Sequence, residues 1–308
     1  MRPPFRSLLV ASLLAVAAWG GDRHLSGAVA LGRAQGQPPP AAPAVSLPNM
    51  KGSLKFAALG DFGNGTPPQY QLAAQMAAFR LRFNYAVVVV STGDNLIGSE
   101  RPQDFKVKFE VPYKPLLDAG VKFFATLGNH DAREQRSYKL FNMDGQSYYV
   151  FTPSPDVRFF MLEATYPTPE QFVWLEKELK ASSHTWKIAV FHNALYSSSR
   201  RHGSDQSLRA ILEPLFVRYN VSVVINGHDH VYERVKPQHG ITYFVVGSGG
   251  QLRKGDLDKT SGLTAKGFDA DLAFMAAEIS GDQLHYNAIS RTGETVDSGV
   301  LSRRTPTP

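Results

Sequence analysis

Two apolar rhythms alternate along this chain from residue 54 onward. The first is the short, nearly continuous apolar run of a strand buried on both faces. It recurs at Leu54–Leu59, Tyr85–Val90, Val121–Leu127, Trp186–Phe191, Val221–Ile225 and Ile241–Val246. The second is helical spacing, over Gln69–Arg82, Val107–Ala119, Thr168–Lys180 and Gln206–Tyr219. Pro112 and Pro115 interrupt the second of these helices, whereas Thr168-Pro169-Glu170 is a strong helix start, with a capping hydroxyl ahead of a proline. Tyr148–Phe151 and Val157–Leu162 read as strands joined at Pro153-Ser154-Pro155. From Ala273 to Val300 the pattern becomes antiparallel strands turning at Ser280-Gly281-Asp282 and Arg291-Thr292-Gly293. There is no internal repeat. Strand–helix alternation followed by strands predicts an α/β fold: a four-layer αββα sandwich of two mixed sheets flanked by helices.

The N-terminus has a different character. Arg2 and Arg6 precede an apolar stretch, Ser7–Trp19, too short to span a bilayer comfortably, and Ala28-Val29-Ala30 and Ala34 offer small-residue cleavage positions. A secretory signal peptide over residues 1–34 fits this better than an uncleaved anchor. Residues 35–49 are rich in Pro and Ala and read as an extended linker. Residues 50–303 then read as one domain. The expected location is secreted or periplasmic, with no stable membrane span once the signal is removed. The chain has no Cys, so an exported fold must rest on its core and any metals rather than on disulfides. Of the net charge of +6, half comes from the first 35 residues (Arg2, Arg6, Arg23 and Arg33 against Asp22), which leaves +3 for the rest. No Lys/Arg run is dense enough to suggest a nucleic-acid surface.

The chemistry lies where the strands end. Five polar clusters follow predicted strands: Gly60-Asp61-Phe62-Gly63, Gly93-Asp94-Asn95, Gly128-Asn129-His130-Asp131, Phe191-His192-Asn193 and Asn226-Gly227-His228-Asp229-His230. Each supplies Asp, Asn or His, the side chains that bind hard or borderline divalent metals. Open α/β sheets bind ligands at the carboxyl ends of their strands. Any one cluster is an ordinary turn; five in order, closing on His-x-His, point to a metal centre and metal-assisted hydrolysis.

The order Asp-x-Gly, Gly-Asp, Gly-Asn-His-Asp, a His after a strand, then Gly-His-x-His resembles the calcineurin-like metallophosphoesterases, and within them the small, tartrate-resistant type of purple acid phosphatase. The resemblance runs over nearly all of residues 54–302, including Pro214-Leu215, residues 224–230 and Phe274–Ser280. It does not extend to the larger plant-type enzymes with an added N-terminal β-domain. It implies two metal ions (Fe, Mn or Zn): Asp94 bridging, Asp61 and His230 completing the first, and Asn129, His192 and His228 completing the second. The implied reaction is hydrolysis of phosphate monoesters by a metal-bound hydroxide, on small-molecule or protein-linked phosphate esters. A phosphodiesterase on the same centre is the alternative, and a non-catalytic binding protein on this scaffold the third reading. His130 and His202 are the implied catalytic side chains at the leaving group, and with Asn129 they would contact substrate. Arg200, Arg201 and Arg253 could meet phosphate or be ordinary surface charges.

The chain departs from that pattern at the first metal. The tyrosine that gives purple acid phosphatases their colour would stand at Ile97, and the first-motif His of other metallophosphoesterases would stand at Gly63. Asn64, Asn95 and Tyr196 are the candidates to fill the gap. Only residues 163–170 separate the Val157–Leu162 strand from Gln171, where the tartrate-resistant enzymes carry a long loop, so an open site is expected.

Overall fold

A computed structural model describes residues 47–305 apart from Val90. The predicted signal peptide and nearly all of the linker lie outside the described residues. Two sheets carry the architecture. The first has six strands in the order β13-β12-β11-β1-β2-β3, with β1 at Leu54–Ala58, β2 at Val87–Val89, β3 at Lys122–Phe124, β11 at Ala273–Ser280, β12 at Gln283–Ser290 and β13 at Thr295–Ser302. The second has seven in the order β10-β8-β9-β7-β6-β5-β4: β4 is Tyr149–Ser154, β5 Val157–Met161, β6 Trp186–Val190, β7 Val223–Asn226, β8 Tyr232–Val235, β9 Thr242–Val246 and β10 Thr264–Phe268. In the first sheet β1, β2 and β3 are parallel; in the second β5, β6, β7 and β9 are.

Period-two alternation builds the layers. Phe56 and Ala58 of β1 face inward and pack with Phe159 and Met161 of β5, Ile188 and Val190 of β6, and Met275 and Ala277 of β11, forming the core between the sheets. Ala57 and Leu59 face outward onto helix α1 (Pro67–Phe83), which presents Leu72, Met76, Phe79 and Phe83 at helical spacing. On the other sheet Phe160, Ala189 and Val224 face outward onto α4 (Pro169–Ala181) and α5 (Gln206–Arg218) through Leu175, Leu179, Leu208, Leu212 and Phe216. Strands buried on both faces explain the continuous apolar runs, and the four layers agree with the predicted sandwich.

The structure corrects the sequence reading in three places. Val107–Ala119 is not one helix: α2 (Pro102–Phe105) runs into a π-helical turn at Lys106–Glu110, and α3 (Lys114–Asp118) starts afresh with Pro115 in its first turn. Strand β8 was not expected, because Glu233 and Arg234 break its apolar pattern. Glu233 is buried and accepts hydrogen bonds from Ser198 N (2.9 Å) and Thr264 Oγ1 (2.5 Å), and Arg234 pairs with Asp297 (2.8 Å). Strand β10, Thr-Ala-Lys-Gly-Phe, is a polar edge strand with almost no periodic signal. Among the described residues no helix is long and apolar enough to cross a membrane.

Candidate metal centre

The loops that leave β1, β2 and β3 in one sheet and β6 and β7 in the other meet at the shared carboxyl edge. Contacts across the sheets fix them there. Asp61 Oδ2 accepts the backbone N–H of His228 at 3.0 Å, and His192 Nδ1 donates to the carbonyl oxygen of Thr92 at 2.6 Å. The backbone turns sharply to make this possible: Asp61, Asp94 and His228 all have left-handed φ, at 54°, 52° and 69°. Asp tolerates that region; for His228 it costs about 1–3 kcal/mol, a strain typical of functional sites. Two glycines allow the close approach. A Cβ on Gly128 would overlap Asp94 and lie 2.9 Å from His192 Cε1; one on Gly227 would lie 2.5 Å from Asp61 Oδ2.

Two groups of donor atoms result, sharing Asp94. In the first, ligand atoms of Asp61, Asp94 and His230 lie within 4.8 Å of one another, with Asp61 Oδ1 3.4 Å from His230 Nε2. In the second, His192 Nε2 lies 2.9 Å from Asn129 Oδ1, 3.0 Å from His228 Nδ1 and 3.6 Å from Asp94 Oδ1. All six residues predicted to bind metal are therefore brought together.

The electrostatics favour a cation. Burial holds His192, His228 and His230 neutral, each pushed down to about 3. Burial also pushes Asp94 up, and burial together with the Asp94 charge pushes Asp61 well above the usual carboxylate range. Asp61 Oδ1 is buried without a hydrogen-bond partner. With its Nδ1 proton committed to Thr92, His192 points its Nε2 lone pair at the oxygens of Asn129 and Asp94, which repel it unless positive charge lies between them. Neutral imidazoles and under-satisfied carboxylates converging on common points fit a divalent metal.

The two predicted catalytic histidines reach the rim. His130 is exposed, and its backbone N–H donates to Asp94 Oδ1 at 2.9 Å. His202 is exposed and sets its ring 4.1 Å from that of His228, which places it at the site.

None of the three residues expected to fill the gap adds a donor atom to the first group. Asn64 is spent in its own turn, accepting from Thr66 N (2.9 Å) and donating to the Gly250 carbonyl oxygen. The Asn95 amide donates to Thr126 O (2.8 Å) and to Asp131 Oδ2 (3.1 Å) and accepts from Ser91 Oγ. Tyr196 donates to Glu213 of α5 (2.8 Å) and packs on Tyr243 beneath the outer helices. Gly63 has no space for a side chain, because its Cβ would overlap the carbonyl oxygen of Asn95. Ile97 donates its backbone N–H to Gly63 O at 2.8 Å, while Lys108 of the π-helical turn donates to Ile97 O at 2.8 Å.

Supporting residues escaped the sequence reading because their roles exist only in three dimensions. Asp131 accepts from Gly128 N (2.9 Å), Asn95 N (2.8 Å) and Gln135 Nε2 (2.7 Å), so it ties the second and third loops together; burial, with Asp94 adding to it, pushes its carboxyl up to about 7. The expected short connection after β5 is a tight turn in which Glu163 accepts from Thr165 N (2.8 Å) and Tyr166 N (3.0 Å).

Comparison with known proteins identifies the family. The family model for calcineurin-like phosphoesterases matches residues 54–232. Purple acid phosphatase 4 of Arabidopsis thaliana is 30% identical over 277 residues, covering 77% of this chain and 80% of that protein. Human tartrate-resistant acid phosphatase type 5 is 25% identical over 299 residues, covering 82% and 92%. The solved structure of a purple acid phosphatase from yellow lupin (Lupinus luteus) seeds superposes with a TM-score of 0.70 at 18% identity, over 83% of this chain and 55% of that one, and shares the fold. Such relatives imply divalent metal ions, and the paired donor groups are where this chain could hold them. The strand-end residues that suggested the family thus lie at one edge of the fold that the family shares, and the chain belongs to the calcineurin-like phosphoesterases, among the purple acid phosphatases, as a hydrolase of phosphoric ester bonds.

Proposed function

We propose that the protein is an exported, binuclear metal-dependent phosphatase that hydrolyses phosphate monoesters. The observation that carries this reading is the pair of donor groups sharing Asp94 beside two exposed histidines. Asp61, Asp94 and His230 would hold one cation, and Asp94, Asn129, His192 and His228 the other. Bound there, divalent cations supply charge against the phosphoryl oxygens and lower the pKa of water near neutrality. The protein's own groups do the rest. Thr92 O fixes the His192 tautomer, Asp131 holds the Asn129 loop to the Asp94 loop, and His130 and His202 stand where a leaving alkoxide can take a proton. The short Glu163–Thr168 turn supports a second reading, a phosphodiesterase, because it leaves the rim open to bulkier esters.

The two readings separate when protein loaded in turn with Fe, Mn and Zn is assayed on an aryl phosphate monoester and the matching diester. The expected result is faster monoester turnover. Faster diester turnover would favour the second reading, and none on either ester with any ion would defeat both. A spectrum of the iron-loaded protein tests the first site: with Ile97 in place of tyrosine, no tyrosinate-to-iron band is expected in the visible. A purple protein would contradict the assignment.

A further inference from the structure

The segment after β9 is stitched to the first donor group. Gly249 N donates to Gly60 O (2.9 Å), Gln251 N to Asp61 O (3.0 Å) and Arg253 N to His230 O (3.0 Å). Arg253 therefore leaves the backbone beside His230, on the side of the centre that lacks a tyrosine or histidine ligand. Its side chain is partly buried, and Nη1 is buried with no hydrogen-bond partner. Among the described residues no carboxylate pairs with the guanidinium and no ring stacks on it, whereas Arg234, Arg158 and Arg291 each have an acidic partner. A guanidinium nitrogen held out of water without a partner is costly, and Arg is the side chain best matched to phosphate, which it can meet with two parallel N–H groups.

We propose that Arg253 is a substrate-binding residue whose guanidinium takes the non-bridging oxygens of the phosphoryl group on the His230 side and selects dianionic monoesters over monoanionic diesters. This rests on the phosphatase reading above and adds its charge selectivity. A monoester presents one more negative charge and one more terminal oxygen than a diester, so loss of the guanidinium should penalise the monoester more.

Arg253→Gln and Arg253→Lys test this in the zinc-loaded protein, with inorganic phosphate as the binding probe in calorimetry and 4-nitrophenyl phosphate and its bis(4-nitrophenyl) diester as substrates. Arg253→Gln should weaken phosphate binding by about 10- to 100-fold, the scale of one charge-assisted hydrogen bond. Monoester kcat/KM should fall by a similar factor, diester kcat/KM by less than about threefold, with zinc content unchanged, and Arg253→Lys should recover part of the loss. Unchanged phosphate affinity, equal losses on both esters, or loss of zinc in the variant would overturn the proposal, as would a wild-type protein that binds no phosphate. If wild type binds phosphate but turns over neither ester, the phosphatase reading fails, and the affinity of Arg253→Gln for phosphate still decides whether the guanidinium binds the anion.

Discussion

His192→Ala is expected to remove nearly all phosphatase activity while leaving the sandwich folded. Three donor atoms meet around His192 Nε2, and its removal leaves Asn129, His228 and Asp94 to hold a cation without their buried centre. Loss of a group that merely orients a ligand typically costs about 10- to 100-fold in metal affinity or activity, so loss of a proposed ligand should exceed the upper end of that range. The stability cost is smaller. The ring is fully buried and neutral, and Ala leaves the Thr92 carbonyl without its donor and opens a cavity, together worth about 1–3 kcal/mol. That cost should itself depend on pH. Burial pushes His192 down to about 3, so the folded protein resists a proton that the unfolded chain accepts at about pH 6.5. In metal-free wild type, His192 therefore costs progressively more stability as pH falls from about 6.5 to about 3, and in His192→Ala this acid penalty should shrink. Metal content, monoester kcat/KM and urea midpoints at pH 7 and 5 measure the three parts. A variant with near-normal turnover would remove His192 from the centre.

Much of this was legible because burial and chemistry leave different marks on a sequence. Trp186–Val190 is covered on one face by the other sheet and on the other by helices, so it reads as an unbroken apolar run, and the polar residues that follow it stand out. What stayed hidden is what depends on a distant partner. Glu233 and Arg234 look like loop residues until Ser198, Thr264 and Asp297 satisfy them. Asp131 looks like the end of a motif until it is seen bonded to Asn95. Arg253 is one of several arginines near a loop until its backbone is found on His230 and its buried Nη1 without a hydrogen-bond partner among the described residues. Asn64, Asn95 and Tyr196 are the converse: residue type alone admits them as ligands, and their existing hydrogen bonds exclude them.

The same reasoning sets the expected outcome of restoring the family's missing histidine. By sequence, Gly63→His should repair the first metal site, since other metallophosphoesterases carry a His there. The structure gives the opposite expectation. The Cβ alone would overlap the Asn95 carbonyl oxygen and lie 2.9 Å from its carbon and 3.1 Å from Leu96 Cα, so the clash is with backbone on both sides. Neither side yields easily. Asn95 is held by Asp131 through its N–H (2.8 Å) and by Thr126 through its amide (2.8 Å), and Gly63 O accepts from Ile97 N (2.8 Å). Overpacking against side chains costs about 1–3 kcal/mol; between two pinned backbones the cost should exceed about 4 kcal/mol, enough to unfold the site or the chain. Gly267→Ala is the control, because its Cβ would press mainly on the flexible end of Leu257 at 2.5 Å and should cost no more than about 3 kcal/mol. Urea midpoints of the two variants decide the matter. If Gly63→His kept the wild-type midpoint and bound metal more tightly, the loop would have room to move, and the poverty of the first site would be an accident of residue choice. If it unfolds, the apposition of Gly63 and Asn95 is what excludes a histidine at this position, and the proposed first cation would have to be held by Asp61, Asp94 and His230 without it.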